Sequence, residues 1–184
     1  MTQAPPDPVD LKIQQVFLAL DADRDGQVGW PDYQDLVRRH LEVFGVPAAD
    51  PRGVALLDAY RSLWREFLRH GRPRTPDWLT MPEFVTANRS LSLDTSRLDM
   101  VAGVPGAIFD VIDGDRDDQI TQADFDRFLR GVWRIAAPDA IEAFTGHDMD
   151  GDGRISRAEF LWGVREFFFS SDLSVTGSRY FGRL

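Results

Sequence analysis

The sequence predicts an all-α protein of four helix–loop–helix units, arranged as two paired lobes packed into one compact body. Three observations predict it. A polar, Asp-rich stretch of twelve residues occurs at 21–32, 113–124 and 148–159. The same apolar frame flanks each copy, and that frame occurs a fourth time at 72–83 without the acids. Recurrence of a fixed unit is the signature of a repeat architecture.

The three loops read "DADRDGQVGWPD", "DGDRDDQITQAD" and "DMDGDGRISRAE". Each places Asp at positions 1, 3 and 5, an apolar residue at position 8 and an acid at position 12. Phe17, Phe109 and Phe144 stand four residues before the loops, with Val16, Ile108 and Ala143 one earlier. Tyr33, Phe125 and Phe160 follow directly after them. Apolar residues at these offsets on both sides of a polar loop predict an entering and an exiting helix. In the fourth copy, "RPRTPDWLTMPE", Phe67 and Leu68 precede the loop, Leu79 falls at position 8 and Phe84 follows. Arg72, Arg74 and Pro76 replace the three aspartates, so this unit is predicted to be structural only.

Loop starts at 21, 72, 113 and 148 predict two pairs: 1–92, with the acidic loop 21–32 and the degenerate loop 72–83, and 93–184, with loops 113–124 and 148–159. Position-8 residues should meet across short antiparallel bridges, Val28 with Leu79 and Ile120 with Ile155. Thr80, Thr121 and Ser156 at position 9 are suited to N-caps, each with an acid three residues later. Pro31 and Pro82 fall in a first helical turn, where a missing N–H does little harm.

Four acids within 148–159 repel one another unless something neutralises them. A divalent cation does so. The spacing D-x-[DN]-x-[DN]-G-x5-E is the EF-hand calcium loop, and 148–159 matches it at every specified position. Calcium takes six to eight oxygen ligands. The candidate ligands of the last loop are Asp148, Asp150, Asp152, the Arg154 carbonyl and Glu159, with the Arg154 side chain free to point outward. Gly153 supplies the turn with positive φ. In the first loop they are Asp21, Asp23, Asp25, the Gln27 carbonyl and Asp32, and in the third Asp113, Asp115, Asp117, the Gln119 carbonyl and Asp124. About three Ca2+ ions are therefore expected. Asp at position 12 of two loops presents both oxygens less easily than Glu159, so Mg2+ is expected to compete at 21–32 and 113–124. Asp118 stands where the third loop calls for glycine. The last loop is thus expected to be the most calcium-selective.

The loops and the order acidic–degenerate–acidic–acidic resemble calerythrin and the sarcoplasmic calcium-binding proteins across nearly the whole chain. The C-terminal "SRYFGRL" looks like the apolar tail of that family, which folds back against the lobes. The resemblance implies two packed EF-hand pairs acting as an intracellular calcium buffer or carrier.

Composition agrees in excluding other classes. A net charge of -9 over 184 residues argues against nucleic acid as a partner. The chain has no cysteine, hence no disulfide, thiolate metal site or cysteine nucleophile. "MTQAPPDPVD" lacks the features of a secretory signal, and no apolar run is long enough to span a bilayer, so a cytoplasmic location is expected; a closed two-lobe monomer is the default for its assembly. No nucleophile motif accompanies the scattered His40, His70 and His147, so the protein is not expected to be an enzyme.

A calcium sensor regulating an unidentified protein partner is the alternative to a buffer. Sensors expose a methionine-rich groove. This chain has only 4 Met against 13 Phe and 5 Trp, which favours a fixed aromatic core. Trp30, Trp64, Trp78, Trp133 and Trp162 are assigned to core or lobe contacts. Part of Phe167–Phe169 is assigned to the tail or the other lobe, and "REFFFSSDLSVTGSRYF" (165–181) to plugging any groove from within.

Overall fold

Two Asp-Pro steps start helices in the N-terminal lobe. Asp7 caps α1 (Pro8–Leu20) by accepting the Val9 N–H at 2.9 Å, and Asp50 caps α3 (Pro51–Gly71) by accepting that of Arg52 at 2.9 Å. In both, proline fills the first turn, where no N–H is needed. The computed structural model describes residues 7–93, 98–135 and 137–172. The predicted tail "SRYFGRL", and the part of 165–181 beyond 172, lie outside them.

Among the described residues the order is α1, β1 (Gln27–Gly29), α2 (Trp30–Phe44), α3, β2 (Trp78–Thr80), α4 (Met81–Leu93), α5 (Leu98–Ile112), β3 (Gln119–Thr121), α6 (Gln122–Arg127), α7 (Ala137–His147), β4 (Arg154–Ser156) and α8 (Arg157–Phe169). A π-helical stretch, Phe128–Val132, continues α6. The strands form two antiparallel pairs, with Val28 opposite Leu79 and Ile120 opposite Ile155. These are the expected registers, and all four side chains are fully buried. Each pair ties two helix–loop–helix units into a lobe.

The flanking frame forms the core. Phe17, Tyr33, Phe84, Phe109, Phe125, Phe144 and Phe160 are all buried. Phe84 meets Phe17 and Phe67 edge-to-face at 5.6 and 5.3 Å, and Phe109 meets Phe160 at 5.7 Å. Burying one such ring contributes about 1.5–3 kcal/mol. Thr121 and Ser156 cap α6 and α8 as expected, and Glu159 completes the box at Ser156.

The lobes are locked together by contacts that the repeat does not encode. Arg39 on α2 is buried and donates from Nη1 to the Val132 carbonyl at 2.5 Å. A π-helical turn disrupts the regular ladder and frees backbone groups for such partners. Gly131 lets α2 come close, since a Cβ there would lie 2.8 Å from Val43 Cγ2. Lys12, the only lysine, is fully buried; its Nζ donates to the Ser170 carbonyl at 2.8 Å and lies 5.7 Å from the Phe167 ring centre. Phe167 thus meets the other lobe. Phe168 packs on the core, while Phe169 is 38% exposed.

The tryptophans divide. Trp64 and Trp133 are buried, Trp30 packs on the core, and Trp78 is half-buried with its ring over Gly29. Trp162 is 49% exposed. It does not belong to the core, because it lies on the outer face of α8 while Phe160, Val164 and Phe167 take the inner one.

Candidate metal centre

The three acidic loops fold alike. In each, the backbone N–H at position 6 (Gly26, Asp118 or Gly153) donates to the position-1 carboxylate (Asp21, Asp113 or Asp148) at 3.0 Å. The N–H at position 7 donates to the position-5 carboxylate at 2.8–3.0 Å, from Gln27 to Asp25, Gln119 to Asp117 and Arg154 to Asp152. These bonds wind the chain so that the carboxylates converge. One oxygen from each of Asp21, Asp23 and Asp25 lies within 4.8 Å of the others; so it is for Asp113, Asp115 and Asp117, and for Asp148, Asp150 and Asp152. Gln27, Gln119 and Arg154 each open their short strand.

The winding needs two left-handed residues per loop. Position 6 is Gly26 (φ 82°), Asp118 (φ 66°) and Gly153 (φ 84°), and position 4 is Arg24 (φ 61°), Arg116 (φ 62°) and Gly151 (φ 74°). A non-glycine residue there costs about 1–2 kcal/mol. The first loop carries one such residue, the third two and the last none, so the last loop is the least strained.

Whether the residues fit a cation is answered by an orphaned acceptor. Asp148 Oδ1 is buried and accepts no hydrogen bond. Asp21 and Asp113 are 5% exposed. Burial, above all, raises the carboxyl pKa of Asp113, and of Asp32 beside Asp23, Asp21 and Asp25. Carboxylates so desolvated and crowded are stabilised by a hard divalent ion, which this donor set fits.

The acids at position 12 stand outside the 4.8 Å triplets and hold the loop ends instead. Asp32 Oδ2 accepts the Gly29 N–H at 2.7 Å. Glu159 accepts the Met149 N–H at 2.9 Å with Oε1, and the Ser156 N–H at 2.8 Å with Oε2. Asp124 accepts from the Thr121 hydroxyl at 2.5 Å and from Arg127 at 2.7 Å.

The degenerate loop closes without a cation. Glu83 at its position 12 accepts the Arg74 N–H at 3.0 Å and the Thr80 N–H at 2.9 Å. The Thr80 bonds, foremost, hold its carboxyl below the usual range.

The Arg154 side chain points outward, as expected, but it is not without a partner. Its Nη1 donates to Asp117 Oδ2 in the third loop at 2.9 Å, and Arg157 donates to Asp118 at 2.5 Å and Asp110 at 2.8 Å. Paired loops lie side by side, so an outward residue on one meets acids of the other; single-loop patterns carry no sign of this. His40 and His147 are buried, and each donates from Nδ1 to a backbone carbonyl 2.8 Å away, that of Leu36 and that of Ala143 respectively. Burial pushes each imidazole down to about 4, so both are neutral at pH 7.

Comparison with known proteins agrees with this geometry. Residues 116–161 match the model of the EF-hand domain pair and residues 13–37 that of the EF hand. Calerythrin of Saccharopolyspora erythraea is 24% identical over 170 residues, 90% of this chain and 96% of that protein. The luciferin-binding protein of Renilla reniformis is 33% identical over 78 residues, so the match spans 42% of either protein. Among solved structures, a Streptomyces coelicolor calcium-binding protein, described as a basis for prokaryotic calcium-mediated regulation, is 28% identical with a TM-score of 0.74, covering 87% of this chain and 97% of that one. A sarcoplasmic calcium-binding protein from amphioxus has a TM-score of 0.73 at 16% identity, covering 97% and 98%. Both of these solved structures are named as calcium-binding proteins. With its four helix–loop–helix units, this chain is similar to calerythrin and to the sarcoplasmic calcium-binding proteins, and two of its stretches match EF-hand models.

Proposed function

We propose that the chain is an intracellular calcium buffer, a cytoplasmic monomer whose fold is stabilised by about three bound Ca2+ ions. The ligands are those of the three acidic loops: Asp21, Asp23, Asp25, the Gln27 carbonyl and Asp32; Asp113, Asp115, Asp117, the Gln119 carbonyl and Asp124; and Asp148, Asp150, Asp152, the Arg154 carbonyl and Glu159. Three bound ions would supply charge neutralisation there, together taking the formal charge from -9 to about -3. The protein's own part is to hold the oxygens together through the position-6 and position-7 N–H bonds. The lobes are taken to divide at about residue 92.

The observation that carries the buffering role is the closure of the two lobes on each other. Arg39 is buried against Val132, and Phe167 against Lys12, so the faces a sensor would present are turned inward. The test is hydrophobic-dye binding with and without Ca2+, together with small-angle scattering. A buffer keeps its shape or tightens with metal and gains no dye. A second reading, a sensor for a protein partner, draws support from the regulatory role stated for the Streptomyces coelicolor relative. It requires that Ca2+ open the lobes and raise dye binding strongly.

A further inference from the structure

Between the lobes lies a cavity of about 100 Å3 that neither the calcium loops nor the buffering role uses. Its walls come from both halves of the chain, including Tyr33, Tyr60, Phe84, Ile108, Trp133 and Val164. Close-packed interiors hold few voids larger than a water. The lining is nearly all apolar, which makes it a poor site for water.

The walls carry a few polar groups. Tyr33 is 2% exposed and Tyr60 4%, and their rings lie 5.5 Å apart. Among the described residues neither phenol hydroxyl forms a hydrogen bond. Buried polar groups are ordinarily paired, so an unpaired set beside an apolar void marks a place for a ligand's polar atom.

We propose that this cavity is a binding site for a compact aromatic molecule bearing one hydroxyl or carbonyl group. Size sets the ring count: a cavity of roughly 150 Å3 lined by aliphatic and aromatic side chains takes benzene, so about 100 Å3 takes a single ring with slight adjustment. The chemistry sets the substituent. The phenols of the lining offer hydrogen bonds and no charge, which excludes carboxylates and ammonium groups as the buried end. Face-to-edge contact with Trp133 and Phe84 favours a ring over an alkyl chain.

The test uses the full chain in saturating Ca2+, with p-cresol and toluene as probes, read by calorimetry, thermal melting and methyl NMR of Ile108 and Val164. Both probes are expected to raise the melting temperature and shift those methyls. p-Cresol is expected to bind about five- to tenfold more tightly than toluene, the worth of one hydrogen bond. Tyr33→Phe combined with Tyr60→Phe is expected to reduce that preference at least threefold while toluene binding is kept. Ile108→Trp, or Val164→Phe if the first variant does not take up calcium normally, is expected to fill the void and abolish binding of both. No melting shift and no methyl perturbation with either probe would overturn the proposal. So would equal binding of the two probes to the wild type, or undiminished binding in a filled, calcium-replete variant.

Discussion

Arg154 Nη1, at position 7 of the last loop, lies 2.9 Å from Asp117 Oδ2, at position 5 of the third. An outgoing side chain of one loop therefore neutralises a proposed ligand of its neighbour. Arg157 reaches Asp118 in the same loop, and Arg127 reaches Asp124, so three guanidinium groups surround residues 113–124. A cation entering there must compete with them.

Arg154→Gln is accordingly expected to strengthen calcium binding at the third loop. The pair is exposed, 45% and 40%, so its effect is limited. Exposed ion pairs amount to about 0.2–1 kcal/mol, or up to about fivefold in affinity. Calorimetry on a background with the other two loops disabled would read this. A dissociation constant equal to that of the unsubstituted background would show that the pair does not compete.

The three loops are expected to differ in calcium selectivity. The last has Glu159 at position 12 and glycine at both left-handed positions, whereas the third has Asp124, Arg116 and Asp118. In millimolar Mg2+, single-loop variants are expected to rank the last loop first for Ca2+ and the third last. Asp32→Glu should raise Ca2+ over Mg2+ preference in the first loop. Equal calcium affinities throughout would contradict the ranking.

Removing metal should lower stability steeply. An ion at 100 times its dissociation constant contributes about 2.7 kcal/mol, and for a chain of this size that is roughly 5–10 °C per site. Thermal melts in excess chelator and in millimolar Ca2+ are the comparison, and superimposable curves would count against calcium-stabilised folding.

His40 gives a pH dependence of known sign. Burial, ahead of a neighbouring Arg39 and against the Leu36 bond, holds its folded pKa at about 4, below the unfolded value of 6.5. Between those values the unfolded chain binds more protons, so stability is full above pH 6.5 and falls as pH drops toward 4. The slope is about 1.4 kcal/mol per pH unit. His40→Leu removes this contribution while the carboxylates titrate alike in both proteins. Urea midpoints from pH 7 to 4.5 are expected to fall faster in the wild type; parallel curves would show that His40 is protonated in the folded state.

Loops, flanking helices and strand registers were legible because their signals are local. Asp at alternate positions, Phe17 and Phe109 four residues ahead, and Val28 or Ile120 at position 8 all lie within one repeat. What stayed hidden depends on segments far apart in sequence. Arg39 meets Val132 and Lys12 meets Ser170 only once the lobes have closed. The π-helical stretch Phe128–Val132 leaves no local signal except Gly131, whose reason is the approach of Val43. Trp162 misled because an aromatic on an amphipathic helix suggests core, yet Phe160 and Val164 already fill the inner face. Position 4 of the loops hides its left-handed backbone behind Arg24 and Arg116, where only Gly151 offers a hint.

The most direct test is native mass spectrometry of the full chain at saturating calcium. Three bound Ca2+ ions are expected per chain, falling to two in Asp148→Asn, with Glu83→Gln leaving the count at three. A chain that stays metal-free, or a count that Asp148→Asn does not change, would contradict the account.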